Sequence, residues 1–313
     1  MSEPLANRRS VLRCMAWAGT GVLWTVAGGV PRSFAFSDRA GQIAAKDSGL
    51  TFVQISDSHI GFSKEANPDV AATLSLAIER INALDPQPAF ILHTGDVTHL
   101  SKPSEFSTAA DILKTLRAPV HVIPGEHDVI GDDDGSEFSA RFPAAGRRGN
   151  GWYSFDAGGV HFTGLVNVLD FKAGGLGHLG DAQLEWLEDD LRGLSASTPI
   201  VVFAHMPLWN VYEPWGWGTD DSAQALAYLQ RFGSVTVLNG HIHQVQQQVE
   251  GNTRFFTAMS TAYPQPAPGA APTPGPLTVQ PSRLREVIGL RDVQIEGRTG
   301  RLAVTDEPLA RPA

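Results

Sequence analysis

Five times in this chain a short apolar, β-prone run stops abruptly at a cluster of acidic and imidazole side chains. Phe52-Val53-Gln54-Ile55 leads into Asp57-Ser58-His59, and Phe90-Ile91-Leu92-His93 into Gly95-Asp96. Residues 120–124 lead into Gly125-Glu126-His127-Asp128, Val201-Val202-Phe203-Ala204 into His205, and residues 235–239 into Gly240-His241-Ile242-His243. Runs of this length bounded by turn residues read as buried strands. In open α/β sheets, ligands gather beyond the carboxyl ends of strands, so five such ends predict one shared crevice. The carboxylates converging there would repel one another and, with several imidazoles, lose hydration unless cations lay between them.

The intervening segments fill in an alternating pattern. Leu74, Ile78 and Ile81 share one face of a helix predicted over 68–84, and Leu184, Leu187 and Leu191 one face of a helix over 181–194. Helices are also expected over 104–116 and 223–232. Strand–turn–strand patterns surround Gly158-Gly159 and Gly251-Asn252. Residues 264–276 read as loop because they are rich in Pro, Ala and Gly. The tail beyond Leu277 is expected to hold a short helical or extended piece and then edge strands. Strands alternating with helices, plus two hairpins, predict one α/β domain with mixed sheets.

The N-terminus differs in kind. Asn7-Arg8-Arg9-Ser10 precedes an apolar stretch over 14–30, and Ser33-Phe34-Ala35 offers small residues for cleavage. This is the make-up of an export signal over 1–35, and the paired arginines are those of the twin-arginine type, which moves folded protein. A membrane anchor is the alternative; the apolar stretch is short for one and broken by glycines. The expectation is a periplasmic or secreted protein that engages the twin-arginine machinery and keeps no stable membrane association after cleavage. Net charge is −9, and the four arginines before residue 36 leave a body of 20 basic and 32 acidic residues. That balance argues against nucleic acid as a partner. The single cysteine, Cys14, excludes a disulfide framework.

The ordered series Asp57-x-His59, Gly95-Asp96, Gly125-Glu126-His127-Asp128, His205 and Gly240-His241-x-His243 resembles the calcineurin-like metallophosphoesterases. The Gln183-Leu184-Glu185-Trp186-Leu187 helix is similar to one in their cyclic-nucleotide-phosphodiesterase-like branch. The resemblance implies a four-layer α/β/β/α sandwich of two mixed β-sheets with flanking helices. It divides the chain into a linker over 36–50, a phosphoesterase domain over 51–260, and a Pro-rich loop with a C-terminal extension over 261–313 packing on that domain.

It also implies two transition-metal ions. Asp57, His59 and His243 would hold one, Glu126, His205 and His241 the other, with Asp96 bridging. Such His/carboxylate sites suit Fe, Mn or Zn, and the hard oxygen donor Glu126, with metal loading before folded export, favours Fe or Mn over Zn. The implied reaction is hydrolysis of a small phosphate mono- or diester by a metal-bridging hydroxide, with His127 as proton donor and Asp128 orienting it. One position departs from the family pattern, because Glu126 stands where the superfamily has Asn. A carboxylate there lowers the positive charge of the centre, and it motivates the alternative of a metal-containing binding or sensor protein with vestigial hydrolysis.

Several residues stay open at this level. His99 could reach the substrate, hydrogen-bond a ligand or sit idle in its loop. His93 and His161 are expected to be packed histidines. The Trp209, Tyr212, Trp215 and Trp217 loop could stack on a ligand or pack beneath itself. Asp132-Asp133-Asp134 reads as a solvated loop.

Overall fold

The computed structural model describes residues 22–27, 30–35, 49–131, 135–169, 172, 174–296 and 301–310. Strands β1 (Val22–Ala27) and β2 (Val30–Ala35) form an antiparallel hairpin in a unit separate from the main body, which runs from Asp47 onward. Arg8, Arg9 and Cys14 lie outside the described residues, as does the Asp132–Asp134 loop.

The main body contains β3 (Thr51–Ile55), α1 (Val70–Asn82), β4 (Ile91–His93), α2 (Pro103–Leu113), β5 (Val120–Val122) and α3 (Ser136–Arg141). Then come β6 (Tyr153–Ala157), β7 (Val160–Gly164), α4 (Asp181–Arg192), β8 (Ile200–Phe203), α5 (Ser222–Leu229) and β9 (Val235–Asn239). The hairpin β10 (Gln246–Glu250) and β11 (Thr253–Thr257), the short α6 (Leu284–Val287), β12 (Gly289–Glu296) and β13 (Arg301–Pro308) complete it.

Two mixed sheets result. One has the order β13-β12-β3-β4-β5, parallel from β3 to β5 and antiparallel across β12. The other has the order β10-β11-β9-β8-β7-β6, with a parallel centre and antiparallel edges. Because side chains alternate across a strand, each strand serves two cores. Phe52, Leu92 and Val293 of the first sheet meet Phe162, Val201, Phe203 and Leu238 of the second. The opposite neighbours Val53, Ile55 and Ile91 pack under α1 and α2, against Leu74, Ile78, Ile81 and Phe106. Ile200, Val202 and Val237 pack under α4 and α5, against Leu184, Leu187 and Leu229. The layers are α/β/β/α, and the strand directions bring the carboxyl ends of β3, β4, β5, β8 and β9 to one side.

The structure corrects the sequence in three places. The strand expected over 160–168 ends at Gly164, and residues beyond it run irregularly toward the crevice. Helix α3 carried no periodic signal, being a single apolar anchor, buried Phe138, in six residues. The tail does not supply only edge strands. β12 lies inside its sheet, pairing β3 on one side and β13 on the other, so of the two tail strands β13 alone is an edge.

Candidate metal centre

Each candidate ligand sits where a strand has just ended, and five of the seven do so in backbone that would not be chosen freely. Asp57, His59, Asp96, His241 and His243 all have positive φ, between 43° and 66°. This left-handed region costs a non-glycine residue of order 1–3 kcal/mol, and such strain persists only where surrounding structure over-determines it. Two glycines make room. A Cβ on Gly125 would collide with the Asp96 carboxylate, and one on Gly240 with Ser56 Oγ and Asp57 Oδ2.

The side chains form two sets whose ligand atoms lie within 4.8 Å of one another: Asp57 with His59 and His243, and Glu126 with His205 and His241. His59 Nε2 approaches His243 Nε2 at 3.1 Å, and His243 Nε2 is 3.3 Å from Asp57 Oδ1. Glu126 Oε2 lies 2.7 Å from His205 Nε2, and its Oε1 lies 2.9 Å from His241 Nδ1. Asp96 Oδ2 is between the sets, 3.5 Å from His59 Nε2 and 3.4 Å from His205 Nε2. All are buried except Glu126, which is half-buried at the cavity floor.

The imidazoles are oriented from behind. His205 Nδ1 donates to Thr94 O at 2.7 Å and His243 Nδ1 to Tyr263 O at 2.6 Å, so both turn Nε2 inward. Such carbonyl partners fix the tautomer a metal ligand needs. Asp57 accepts from the His241 backbone N–H at 3.1 Å. Burial raises the Asp57 and Glu126 carboxyls, but the facing imidazoles outweigh it and hold both ionised, Glu126 well below the ordinary range.

The donor set fits cations. Glu126 Oε2, His205 Nε2 and both His241 ring nitrogens are buried without a hydrogen-bond partner, although Glu126 and His205 are 2.7 Å apart. Close atoms that are not aimed at one another point to a shared third partner. Mixed imidazole and carboxylate donors suit first-row transition ions.

His127 stands at the rim with its ring 4.8 Å from that of His59. Its Nδ1 donates to His99 O at 2.7 Å, leaving Nε2 toward the crevice. Burial pulls its pKa down, yet the Asp96 and Glu126 carboxylates prevail and raise it. Asp128 does not hydrogen-bond that ring. Its carboxylate accepts from the N–H groups of Val97, Thr98 and Gly125 at 2.7–3.0 Å and from Thr98 Oγ1 at 2.8 Å. Asp128 therefore ties the Asp96 loop to the Glu126 loop, and the ring is oriented by the His99 carbonyl. Burial and the neighbouring Asp96 push the Asp128 carboxyl up to about 7, against those N–H donors.

The open residues find places. The His99 ring stacks on His127 at 5.0 Å, and its Nδ1 is 3.5 Å from His59 Nδ1. His93 is a packed, neutral histidine, lowered to about 4 by burial, with Nε2 2.8 Å from Ser58 Oγ. His161 is more than packed, since it links Asp156 and Asp190 at 2.9 Å each. Of the aromatic loop, Trp209 packs on Phe255 in the outer core and Trp217 on Ile242, while Trp215 and Trp217 line a cavity of about 490 Å³ that also meets Glu126, His127 and His241.

Residues 260–263 were missed. Ser260 Oγ donates to Asp57 O at 2.8 Å, Thr261 Oγ1 to Ser58 Oγ at 3.1 Å, and the Tyr263 ring stacks on His59 at 5.0 Å. They too follow a strand, β11, so the rule that found the other five clusters could have found this one.

Two face-to-face mixed sheets with paired His/carboxylate sets at their strand ends define a metallohydrolase-type architecture. The calcineurin-like phosphoesterase profile matches residues 50–245, and the chain belongs to that family. It is 29% identical over 164 residues to a probable cyclic nucleotide phosphodiesterase of Rhodopseudomonas palustris, covering 50% of this chain and 57% of that protein. It is 27% identical over 223 residues to a 3′,5′-cyclic-nucleotide phosphodiesterase of Nostoc sp., covering 68% and 79%. Among solved structures, a dimetal phosphatase from Danio rerio superposes with a TM-score of 0.64 at 15% identity over 83% of this chain and 96% of that one, a likeness of fold.

Proposed function

We propose that the chain is a metal-dependent phosphoesterase that hydrolyses phosphate mono- or diesters. The observation that carries this reading is the convergence of Asp57, His59 and His243 with Glu126, His205 and His241 around the shared Asp96. These residues would hold two cations, which when bound supply Lewis acidity toward phosphoryl oxygens and an attacking water. His127 is assigned the proton for the departing ester oxygen. The His99 carbonyl fixes its ring, its Nε2 faces the crevice, and the Asp96 and Glu126 carboxylates raise its pKa and so favour the protonated form a donor needs. His99, stacked on that ring, is lowered to about 4 by burial and by His127, so it stays neutral.

Glu126 favours this reading over an emptied second site, because both of its oxygens face imidazoles. As a hard oxygen donor it supports Fe or Mn over Zn. The Arg8-Arg9 segment supports twin-arginine export to the periplasm or beyond. Elemental analysis should find close to two transition ions per chain. Metal-dependent cleavage of p-nitrophenyl phosphate or its bis-ester is expected, and a reconstituted, metal-loaded protein inert toward both would overturn the proposal. In that event Glu126→Asn tests the vestigial alternative by restoring turnover. Replacing Arg8 and Arg9 by Lys should hold the protein in the cytoplasm.

A further inference from the structure

The cavity beside Glu126 and His127 has a broad apolar wall where a phosphate-binding site would be expected to carry lysine or arginine. That wall is made by Val129, Ile130, Val168, Leu169, Trp215 and Pro274; Gln265 joins Glu126, His127 and His241 on the polar side, and no lysine or arginine lines the cavity among the described residues. Its volume, about 490 Å³, suits a small organic group. Nor does the apolar character stop inside. Three large hydrophobic side chains are exposed among the described residues, and two of them, Leu100 and Ile130, are at 44% and 50% exposure. Ser101 joins their loops at the site's edge, its Oγ donating to His127 O at 2.8 Å and accepting from the Ile130 N–H at 2.9 Å. Exposed apolar residues gathered at the mouth of an apolar pocket mark a ligand surface.

Charge points the same way. The floor carries Glu126 where the family pattern has a neutral amide, and among the described residues His127 is the one lining side chain outside the ligand set that a proton makes cationic, with no lysine or arginine to meet a second phosphoryl charge. We infer that the substrate is a phosphodiester monoanion with an apolar, aryl or alkyl, ester group that fills this cavity, Ile130 and Trp215 forming its contact surface. The inference rests on the phosphoesterase reading and narrows it.

Probes without an ester bond separate the two. The metal-loaded protein is titrated with diphenylphosphinate, dibutylphosphinate, dimethylphosphinate and, above its second ionisation, phenylphosphonate, following quenching of tryptophan fluorescence and competition. Burying a phenyl or butyl group should make diphenyl- or dibutylphosphinate bind about tenfold to a hundredfold tighter than dimethylphosphinate. The better of those two identifies an aryl or an alkyl group. Ile130→Ser should shrink that preference severalfold and Ile130→Leu restore it, with dimethylphosphinate unmoved by either. The inference is overturned if dimethylphosphinate binds as tightly as the larger probes, or if dianionic phenylphosphonate outbinds diphenylphosphinate. It is equally overturned if Ile130→Ser leaves every affinity unchanged. Graded binding with no ester turned over would leave the cavity a subsite for an apolar phosphoryl ligand but overturn the phosphoesterase reading, and with it the substrate assignment; turnover with ungraded binding would keep that reading and overturn this inference.

Discussion

Arg291 is the substitution that most sharply tests how the C-terminal strands support the centre. It is fully buried on β12, yet every part of its guanidinium is engaged. Nε donates to Asp306 Oδ1 at 2.8 Å, Nη1 to Gln54 Oε1 at 3.2 Å, and Nη2 to Thr257 O at 2.8 Å. Gln54 in turn donates to Thr94 Oγ1 at 3.0 Å, and the Thr94 carbonyl orients the ligand His205. Replacing Arg291 by Met keeps most of the volume but strands the half-buried Asp306 carboxylate and two buried neutral acceptors. Each unsatisfied buried acceptor costs about 1–3 kcal/mol, and breaking a buried charge pair from one side costs about 3–5 kcal/mol. These overlap, so the expected loss is about 3–5 kcal/mol, a fall in Tm on the order of 10 °C. Burial already raises the Asp306 carboxyl while Arg291 lowers it, so without Arg291 this carboxyl should take up a proton and recover part of the loss. Asp306→Asn in the Arg291→Met background should therefore be milder than the sum of the single changes. Calorimetry and chemical unfolding of the four proteins measure this, with metal content determined in parallel. A loss below about 1 kcal/mol for Arg291→Met, with strict additivity, would refute the reasoning.

Three further outcomes are expected. His127→Asn should slow hydrolysis of esters with poor leaving groups by about 10²–10⁴-fold, and p-nitrophenyl esters far less, since that phenolate departs without a proton; equal losses contradict a proton-donor role. Gly125→Ala, whose Cβ would meet the Asp96 carboxylate, should cost about 1–3 kcal/mol and lower bound metal per chain, checked by unfolding and elemental analysis. His161 has its pKa raised, because hydrogen bonds to Asp190 and Asp156 outweigh the lowering by burial. Its contribution is therefore complete below 6.5 and lost as pH rises through the raised folded value. The stability gap between wild type and His161→Asn should narrow with rising pH, and a gap that widens is the wrong sign.

Much of the centre was legible because its local rule is simple. A buried strand must end, and Asp57-Ser58-His59, Gly95-Asp96 and Gly240-His241-Ile242-His243 announce those ends in adjacent residues. Helices α1 and α4 were equally plain, their apolar residues recurring at the helical period with Leu74 and Leu187 buried. Asp128 was harder. Its partners, Val97 and Thr98, lie about thirty residues away, so nothing beside it in the chain distinguishes a loop tie from a ring partner.

What the amino-acid order determined by itself was which residues could be ligands, and that they would emerge at strand ends. Periodicity is local, and a strand or turn is specified by the few residues within it. Only the tertiary structure decided which ends meet, as His59 and His243 do across 184 positions, and that Glu126 faces inward between His205 and His241. It alone decided that β12 enters the sheet beside β3, where Arg291 reaches Gln54 across 237 positions, and that Tyr263 covers His59. An alternating pattern states that a strand has an apolar face; it does not name the partner that will bury it. That choice is made by the packing of two sheets against each other and by the need to satisfy every polar group enclosed between them.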